Sequence, residues 1–323
     1  MEKGSKRILI TGGSGFIGTN LVEHLKNSGH LLVIVDKNPP QNKDHTAYWK
    51  KGDLVDATIL NEIVFSFSPT HVVHLAARTD LAGKQLSDYS SNTEGTANLM
   101  AALKQCPELQ RVIFTSSMLV CRPGYIPAND LDFAPSTVYG QSKQEMELMI
   151  RRQTVPYDWC IIRPTSIWGP WFSTPYRDFF DRVMQKKMYK ISNKASTKTY
   201  GFVLNSVQQI KKLLFCNDAV TGNVFYIGDA PPLNINNWAD AIAGALGYKK
   251  PVALPLFILK MAAFAGDVMK LAGIRFPMTS FRLKNMTTNN ILPLDNLYKI
   301  TGPSAYSTEQ AISITLEWLK QNK

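Results

Sequence analysis

Short apolar runs alternate along the first half of the chain with stretches of helical spacing. "RILIT" (Arg7–Thr11) predicts a buried strand, and "TNLVEHLKNSG" predicts a helix stopped at Gly29. "LLVIVD" (31–36), "HVVHLAA" (71–77), "RVIFTSS" (111–117) and "WCIIRP" (159–164) predict four further strands. Helical spacing recurs over 57–67, 94–105 and 139–151. This βαβ repetition predicts an α/β fold, a doubly wound parallel sheet with a smaller C-terminal lobe. After Arg163 the pattern loosens. "PTSIWGPWFSTPYRDFF" is aromatic and proline-rich, the composition of a loop layer, and "GNVFYIGD" (222–229) predicts a strand returning to the sheet. Helices over 236–246 and 254–272 would build the lobe. The expected division is 1–164 with a returning segment at 200–228, against 165–199 and 229–323.

Composition adjusts this picture only slightly. The chain has 323 residues, 45% hydrophobic and 19% charged, enough apolar material for a sizeable core. Cys106, Cys121, Cys160 and Cys216 form no C-x-x-C pair, so neither a metal site nor a disulfide framework is expected and a reducing cytoplasm fits best. The first residues reach glycines before any apolar run of secretory length, so no signal peptide is expected. The net charge of +11 suits an anionic substrate, nucleic acid or an acidic membrane surface. No nucleic-acid motif accompanies it, so nucleic acid is not expected. The longest apolar stretch, 251–273, is interrupted by Lys260, Asp267 and Lys270. It predicts a packed amphipathic helix and no spanning segment, and leaves peripheral membrane contact open.

Candidate chemistry begins at "TGGSGFIG". Gly12, Gly15 and Gly18 stand between a strand and a helix, where glycines let the backbone approach a pyrophosphate and the helix start offers free N–H groups. Asp36 ends the second strand, where an acid can accept from adenosine ribose hydroxyls. That acid would repel a 2′-phosphate, which favours NAD over NADP, although Lys37 beside it pulls the other way. "YGQSK" places Tyr139 and Lys143 on one helix face. An ammonium near a phenol favours phenolate, which makes a general acid/base for an alcohol or carbonyl.

The ordered set "TGGSGFIG", Asp36, "GDL" (52–54), "HLAA" (74–77), "NTEGT" (92–96), Ser116–Ser117, "YGQSK" and "RPTSIWGP" (163–170) resembles the extended short-chain dehydrogenase/reductases. Within them it is similar to the NAD-dependent epimerase/dehydratase family, which acts on nucleotide sugars. The resemblance implies a Rossmann domain, NAD as cofactor, and a substrate-binding C-terminal lobe. It implies that Phe16 and Ile17 join the loop glycines at the cofactor, that Asp53 and Leu54 hold the adenine, and that Leu75, Ala76 and Ala77 line the pyrophosphate and nicotinamide ribose. Asn92 would support the neighbouring loop, Lys143 would also bind ribose hydroxyls, and Pro164 would sit at the carboxamide. Ser117 would hold the sugar oxygen that Tyr139 deprotonates. Trp168 is a candidate sugar or base platform, and Lys198 and Arg282 are candidate diphosphate cations. A homodimer is the family's usual assembly.

In this family the positions after the catalytic hydroxyl separate the reactions. Dehydratases resemble one another in an acid pair there, and sugar-acid decarboxylases often carry glutamate. Here Met118 and Leu119 cannot move protons, and Cys121 replaces the usual tyrosine. What remains fits a C4 epimerase working through a transient 4-keto sugar, in carbohydrate biosynthesis. A dehydrogenase or reductase of a ketosugar or sterol-like alcohol needs the same residues. A non-catalytic NAD(P) sensor would not need Tyr139, Lys143 and Ser117 together.

Overall fold

The computed structural model describes residues 4–192, 195–271, 273 and 279–322. Its strands are β1 (Arg7–Thr11), β2 (Leu31–Asp36), β3 (Trp49–Lys51), β4 (His71–His74), β5 (Arg111–Thr115), β6 (Asp158–Pro164), β7 (Ser166–Trp168), β8 (Tyr189–Ile191), β9 (Thr197–Lys198), β10 (Tyr200–Phe202), β11 (Val224–Ile227), β12 (Leu233–Asn234) and β13 (Val252–Leu254). The helices of the first half are α1 (Phe16–Leu25), α2 (Ala57–Phe67), α3 (Glu94–Leu103) and α4 (Val138–Arg151). They are followed by α5 (Tyr176–Met184), α6 (Val203–Phe215), α7 (Ile235–Ala245), α8 (Leu256–Leu271), α9 (Ser280–Thr287), α10 (Asp295–Thr301) and α11 (Thr308–Gln321). The last residue of the predicted helix 254–272 lies outside the described residues.

Seven strands form one sheet in the order β11-β6-β5-β4-β1-β2-β3, and every neighbouring pair is parallel. The fold is therefore a doubly wound Rossmann sheet, and its order reverses between β1 and β4, where such sheets open a crevice. Alternation along the strands serves both faces. Ile8 and Ile10 of β1 pack with Leu21, Val22 and Leu25 of α1 and with Val207 and Ile210 of α6. Leu9 faces the other way, toward Leu60 of α2, Leu99 of α3 and Met146 of α4. Each such side chain, fully buried, contributes about 1.5–3 kcal/mol. The helices start where the sequence offers caps. Asp56 accepts from the backbone N–H groups of Thr58 and Ile59 at 3.1 Å each, and Thr137 accepts from Gly140 N–H at 3.0 Å.

Outside the sheet, Trp168, Phe172, Phe180, Tyr200, Phe202 and Trp238 form an aromatic core against α11. A smaller lobe gathers Ile191, Leu259, Ala263 and Leu283 between β8, α8 and α9. The segment after β11 is divided between these layers: Leu297 of α10 packs back against the sheet core. None of the described helices is long and apolar enough to cross a membrane.

Candidate active site

The carboxyl ends of β1, β2, β4, β5 and β6 open into a cleft of about 1090 Å³. Its glycine end is built by close approach. Gly12 has φ +72°, and a Cβ there would lie 2.5 Å from the backbone nitrogen of Ala76. A Cβ on Gly18 would lie 2.3 Å from the Gly12 carbonyl oxygen. These positions therefore admit only glycine, and the start of α1 comes down onto the cleft with no acid in its first turn. Gly15, Phe16 and Ile17 line the same wall. Asp36 sits at the tip of β2, where its carboxylate accepts from Ser14 N–H at 3.2 Å and Asn38 N–H at 3.0 Å. Burial nevertheless holds its pKa above the usual carboxylate range. Asp53, Leu54, Leu75, Ala76, Ala77 and Pro164 complete this side.

His74, from the "HLAA" stretch, is a strut. Its Nδ1 meets Thr11 Oγ1 at 2.7 Å and its Nε2 meets Thr96 Oγ1 at 3.0 Å, tying β1, β4 and α3 at the sheet's reversal point. Burial pushes its pKa down to about 3, so it stays neutral. Asn92 is fully buried beside the cleft without lining it. Its Oδ1 accepts from Arg78 N–H at 2.8 Å, and its Nδ2 donates to Arg78 O at 3.0 Å and Ser142 Oγ at 2.9 Å. It positions the loop after β4.

At the other end, Ser117, Tyr139 and Lys143 share the cleft wall. Ser117 Oγ accepts from Leu119 N–H at 3.1 Å and sits near enough to the Tyr139 hydroxyl to pull its pKa down. Lys143 Nζ donates to the Thr115 carbonyl at 2.8 Å. The expected lowering of the tyrosine by its lysine neighbour is absent. Burial pushes Tyr139 up to about 12, against the pull of Ser117, and pushes Lys143 down to about 7. Both side chains are held out of water, and desolvation of the charged forms outweighs their spacing on the helix. Thr115 Oγ1 and Ser116 Oγ are buried and have no partner among the described residues, although both residues line the cleft. Unpartnered buried hydroxyls on a cleft wall are ready donors and acceptors for a ligand.

Three residues proposed for substrate lie elsewhere. Trp168 is buried in the aromatic core, with ring centroids 5.4 Å from Phe180, 5.3 Å from Phe202 and 5.1 Å from Trp238. An aromatic-rich segment looks the same in sequence whether it stacks on a ligand or on itself. Lys198 donates to Asn285 Oδ1 at 2.8 Å and is buried, and Arg282 lies on α9. The cleft's cations are instead Lys37, Arg78 and Lys143. Arg78 escaped the sequence reading because it follows the strand motif by one residue and carries no spacing signal. It is steadied by Asp80, 2.8 Å away, and lies over the Tyr89 ring. Phe172 and Tyr176 close the wall opposite the sheet, so the aromatic stretch after β6 does reach the cleft, though not through Trp168. Cys121 is buried away from it, with Sγ 3.4 Å from Asp132 O. Among the described residues no cluster of His, Cys, Asp or Glu is placed to hold a metal ion.

A model of the NAD-dependent epimerase/dehydratase family matches residues 8–236. A 3β-hydroxysteroid dehydrogenase of Mycolicibacterium neoaurum is 27% identical, covering 97% of this chain and 91% of its own length. The N-acetyl-α-D-glucosaminyl-diphospho-ditrans,octacis-undecaprenol 4-epimerase of Escherichia coli O157:H7 is 25% identical, covering 96% of this chain and 94% of its own. Among solved structures, UDP-glucose 4-epimerase of Thermotoga maritima with UDP-glucose superposes with a TM-score of 0.77 at 19% identity, covering 98% of this chain and 99% of that one, a likeness of fold.

Proposed function

The chain belongs to the NAD-dependent epimerase/dehydratase family, and we propose that it is a C4 epimerase of a nucleotide-linked sugar. The cleft suits the family's cofactor. The Gly12 and Gly18 approaches leave a backbone cradle that a Cβ would fill, α1 presents an uncompensated positive end, and Asp36 at the tip of β2 would meet the ribose hydroxyls. NAD bound there supplies reversible acceptance of hydride.

The observation that carries the reading is the Ser117–Tyr139 pair at the far end of this cleft, followed by Met118 and Leu119. Tyr139 is the group placed to exchange a proton with a sugar hydroxyl, and Ser117 holds the same oxygen. Lys143, anchored on the Thr115 carbonyl, stands on the same wall, where its ammonium can reach the hydroxyls of a bound cofactor's ribose. The methionine and leucine supply no second acid or base, so elimination of water across the neighbouring carbons has nothing to drive it. Reversible oxidation at one carbon needs nothing more. A cleft of this size leaves room for the keto sugar to present its other face, and Thr115 and Ser116 offer hydroxyls to hold it.

A second reading, a dehydrogenase of a sterol-type alcohol, draws on the 27% identical dehydrogenase that matches nearly the whole chain. One assay separates them. The purified protein is incubated with UDP-, GDP- and dTDP-linked hexoses and, separately, with a 3β-hydroxysteroid and NAD. The epimerase reading expects interconversion of C4 epimers without accumulation of reduced cofactor, and NAD released on denaturation. Stoichiometric cofactor reduction by the steroid, with no sugar turnover, would replace it with the second reading.

A further inference from the structure

Helix α8 is apolar at twelve of its sixteen positions, and among the described residues one side of it is packed. Leu259 and Ala263 are buried against Ile191 and Leu283. Phe257, Met261, Phe264 and Val268 recur at helical spacing on another face and are 63%, 68%, 70% and 51% exposed. Beside them, the β8–β13 pairing brings together Tyr189 and Val252, both exposed. Contiguous exposed apolar surface of this kind marks a contact site.

Charge identifies what meets it. Among the described residues this lobe exposes six lysines, Lys186, Lys187, Lys249, Lys250, Lys260 and Lys284, with Asp267 the acid on α8, while Lys190 is paired with Asp240 at 2.8 Å and Lys198 is buried. The exposed charge of the lobe is thus strongly positive, in line with the chain's net +11. Two copies of such a face would repel each other, whereas an anionic surface attracts it. Between α8 and α9 lies a groove of about 320 Å³ whose lining includes Lys260, Lys284 and Ser280, donors suited to a phosphate headgroup. An apolar helical stripe beside a basic surface, on a helix unable to span, is the arrangement that lies in a membrane interface.

We propose that the α8 face docks on an anionic lipid bilayer, with Phe257, Met261, Phe264 and Val268 entering the acyl boundary and Lys260 and Lys284 meeting lipid phosphates. The test is co-sedimentation of the full chain with vesicles of phosphatidylcholine alone and with vesicles containing about one-third phosphatidylglycerol. Binding to the anionic vesicles is expected to be at least about tenfold tighter, and to weaken as salt rises from about 0.15 M to about 0.5 M. Phe257→Ser/Phe264→Ser and Lys260→Gln/Lys284→Gln are each expected to weaken it about tenfold or more. These side chains are exposed, and unchanged circular dichroism and NAD affinity will show that the fold is intact. The proposal is overturned if the wild type stays in the supernatant with anionic vesicles. It is overturned equally if the phenylalanine variant sediments as well as the wild type, which would mean simple charge adsorption. Light scattering that shows a dimer dissolved by Phe264→Ser, without vesicle binding, would assign the face to a second copy instead.

Discussion

Tyr139 and Lys143 show how far a four-residue spacing carries. The sequence places them on one helix face, but the depth at which that face is buried is set by tertiary packing, and burial raises the phenol and lowers the ammonium instead of lowering the phenol. Tyr139→Phe is expected to lower turnover by about 10²–10⁴-fold while NAD affinity, read by titration calorimetry, changes by less than about tenfold. Loss of NAD binding would show the phenol to be a binding group and not the proton carrier. Lys143 adds a stability prediction. Its pKa falls from the unfolded 10.5 to about 7 in the fold, so between these values the unfolded chain holds more protons and stability rises with pH. Below about pH 7 the cost of burying the ammonium is fully present. Lys143→Met should therefore raise Tm by at least about 2 °C near pH 6 and progressively less toward pH 10, while abolishing turnover. Tyr139, raised from 10.0 to about 12, acts oppositely: stability is lost as pH climbs through that range, and Tyr139→Phe should remove that loss. A Lys143→Met gain that is constant from pH 6 to 10 would contradict the titration and leave only a packing effect.

At the scale of the element, regularity in sequence decided what could be read. β1 and β2 lie over the residues that their apolar runs predict, and α2 spans the predicted 57–67. β3 was unreadable: "WKK" has no alternation, Lys50 and Lys51 are exposed, and this edge strand is held by pairing with β2 and by Trp49 Nε1 donating to Asp36 O at 2.9 Å. The glycine loop and "YGQSK" were legible because their spacing is local. Arg78 and the Thr115–Ser116 hydroxyls acquire meaning only when the sheet brings five strand ends together. A further pairing was equally silent. Glu147 of α4 and Arg163 of β6 are both buried and meet in two bonds of 2.8 and 2.9 Å, and Arg163 also reaches Asp130 O at 2.8 Å. This pair fixes the helix bearing Tyr139 to the strand bearing Pro164. Glu147→Ala leaves an uncompensated buried guanidinium and should cost about 3–5 kcal/mol in denaturant unfolding. The double change Glu147→Met/Arg163→Met should recover much of that loss. If the double variant is as unstable as the single one, the cost lies in packing and not in the stranded charge.

Across the whole molecule, the cleft draws its walls from two layers. The sheet supplies the glycine loop, Asp36 and the Ser117–Tyr139–Lys143 group, and the aromatic layer supplies Phe172 and Tyr176. The layers also share side chains, because Phe16 and Leu204 pack against both the sheet core and the aromatic core. α6 enters from the β10 end and then covers the sheet, and Asn205 near its start exchanges bonds of 3.0 and 2.9 Å with the backbone of Tyr306, just ahead of α11. Separating the layers would strand these buried groups, so the chain should unfold in one transition despite its length. NAD binding acts on that single equilibrium. At a hundredfold excess over its Kd it adds about 2.7 kcal/mol, and for a chain of this size that is a rise in Tm of about 4 °C. Scanning calorimetry with and without NAD checks both statements together. Two resolved transitions, of which NAD moves only one, would show that the sheet and the aromatic layer fold independently and that the shared residues couple them too weakly to matter.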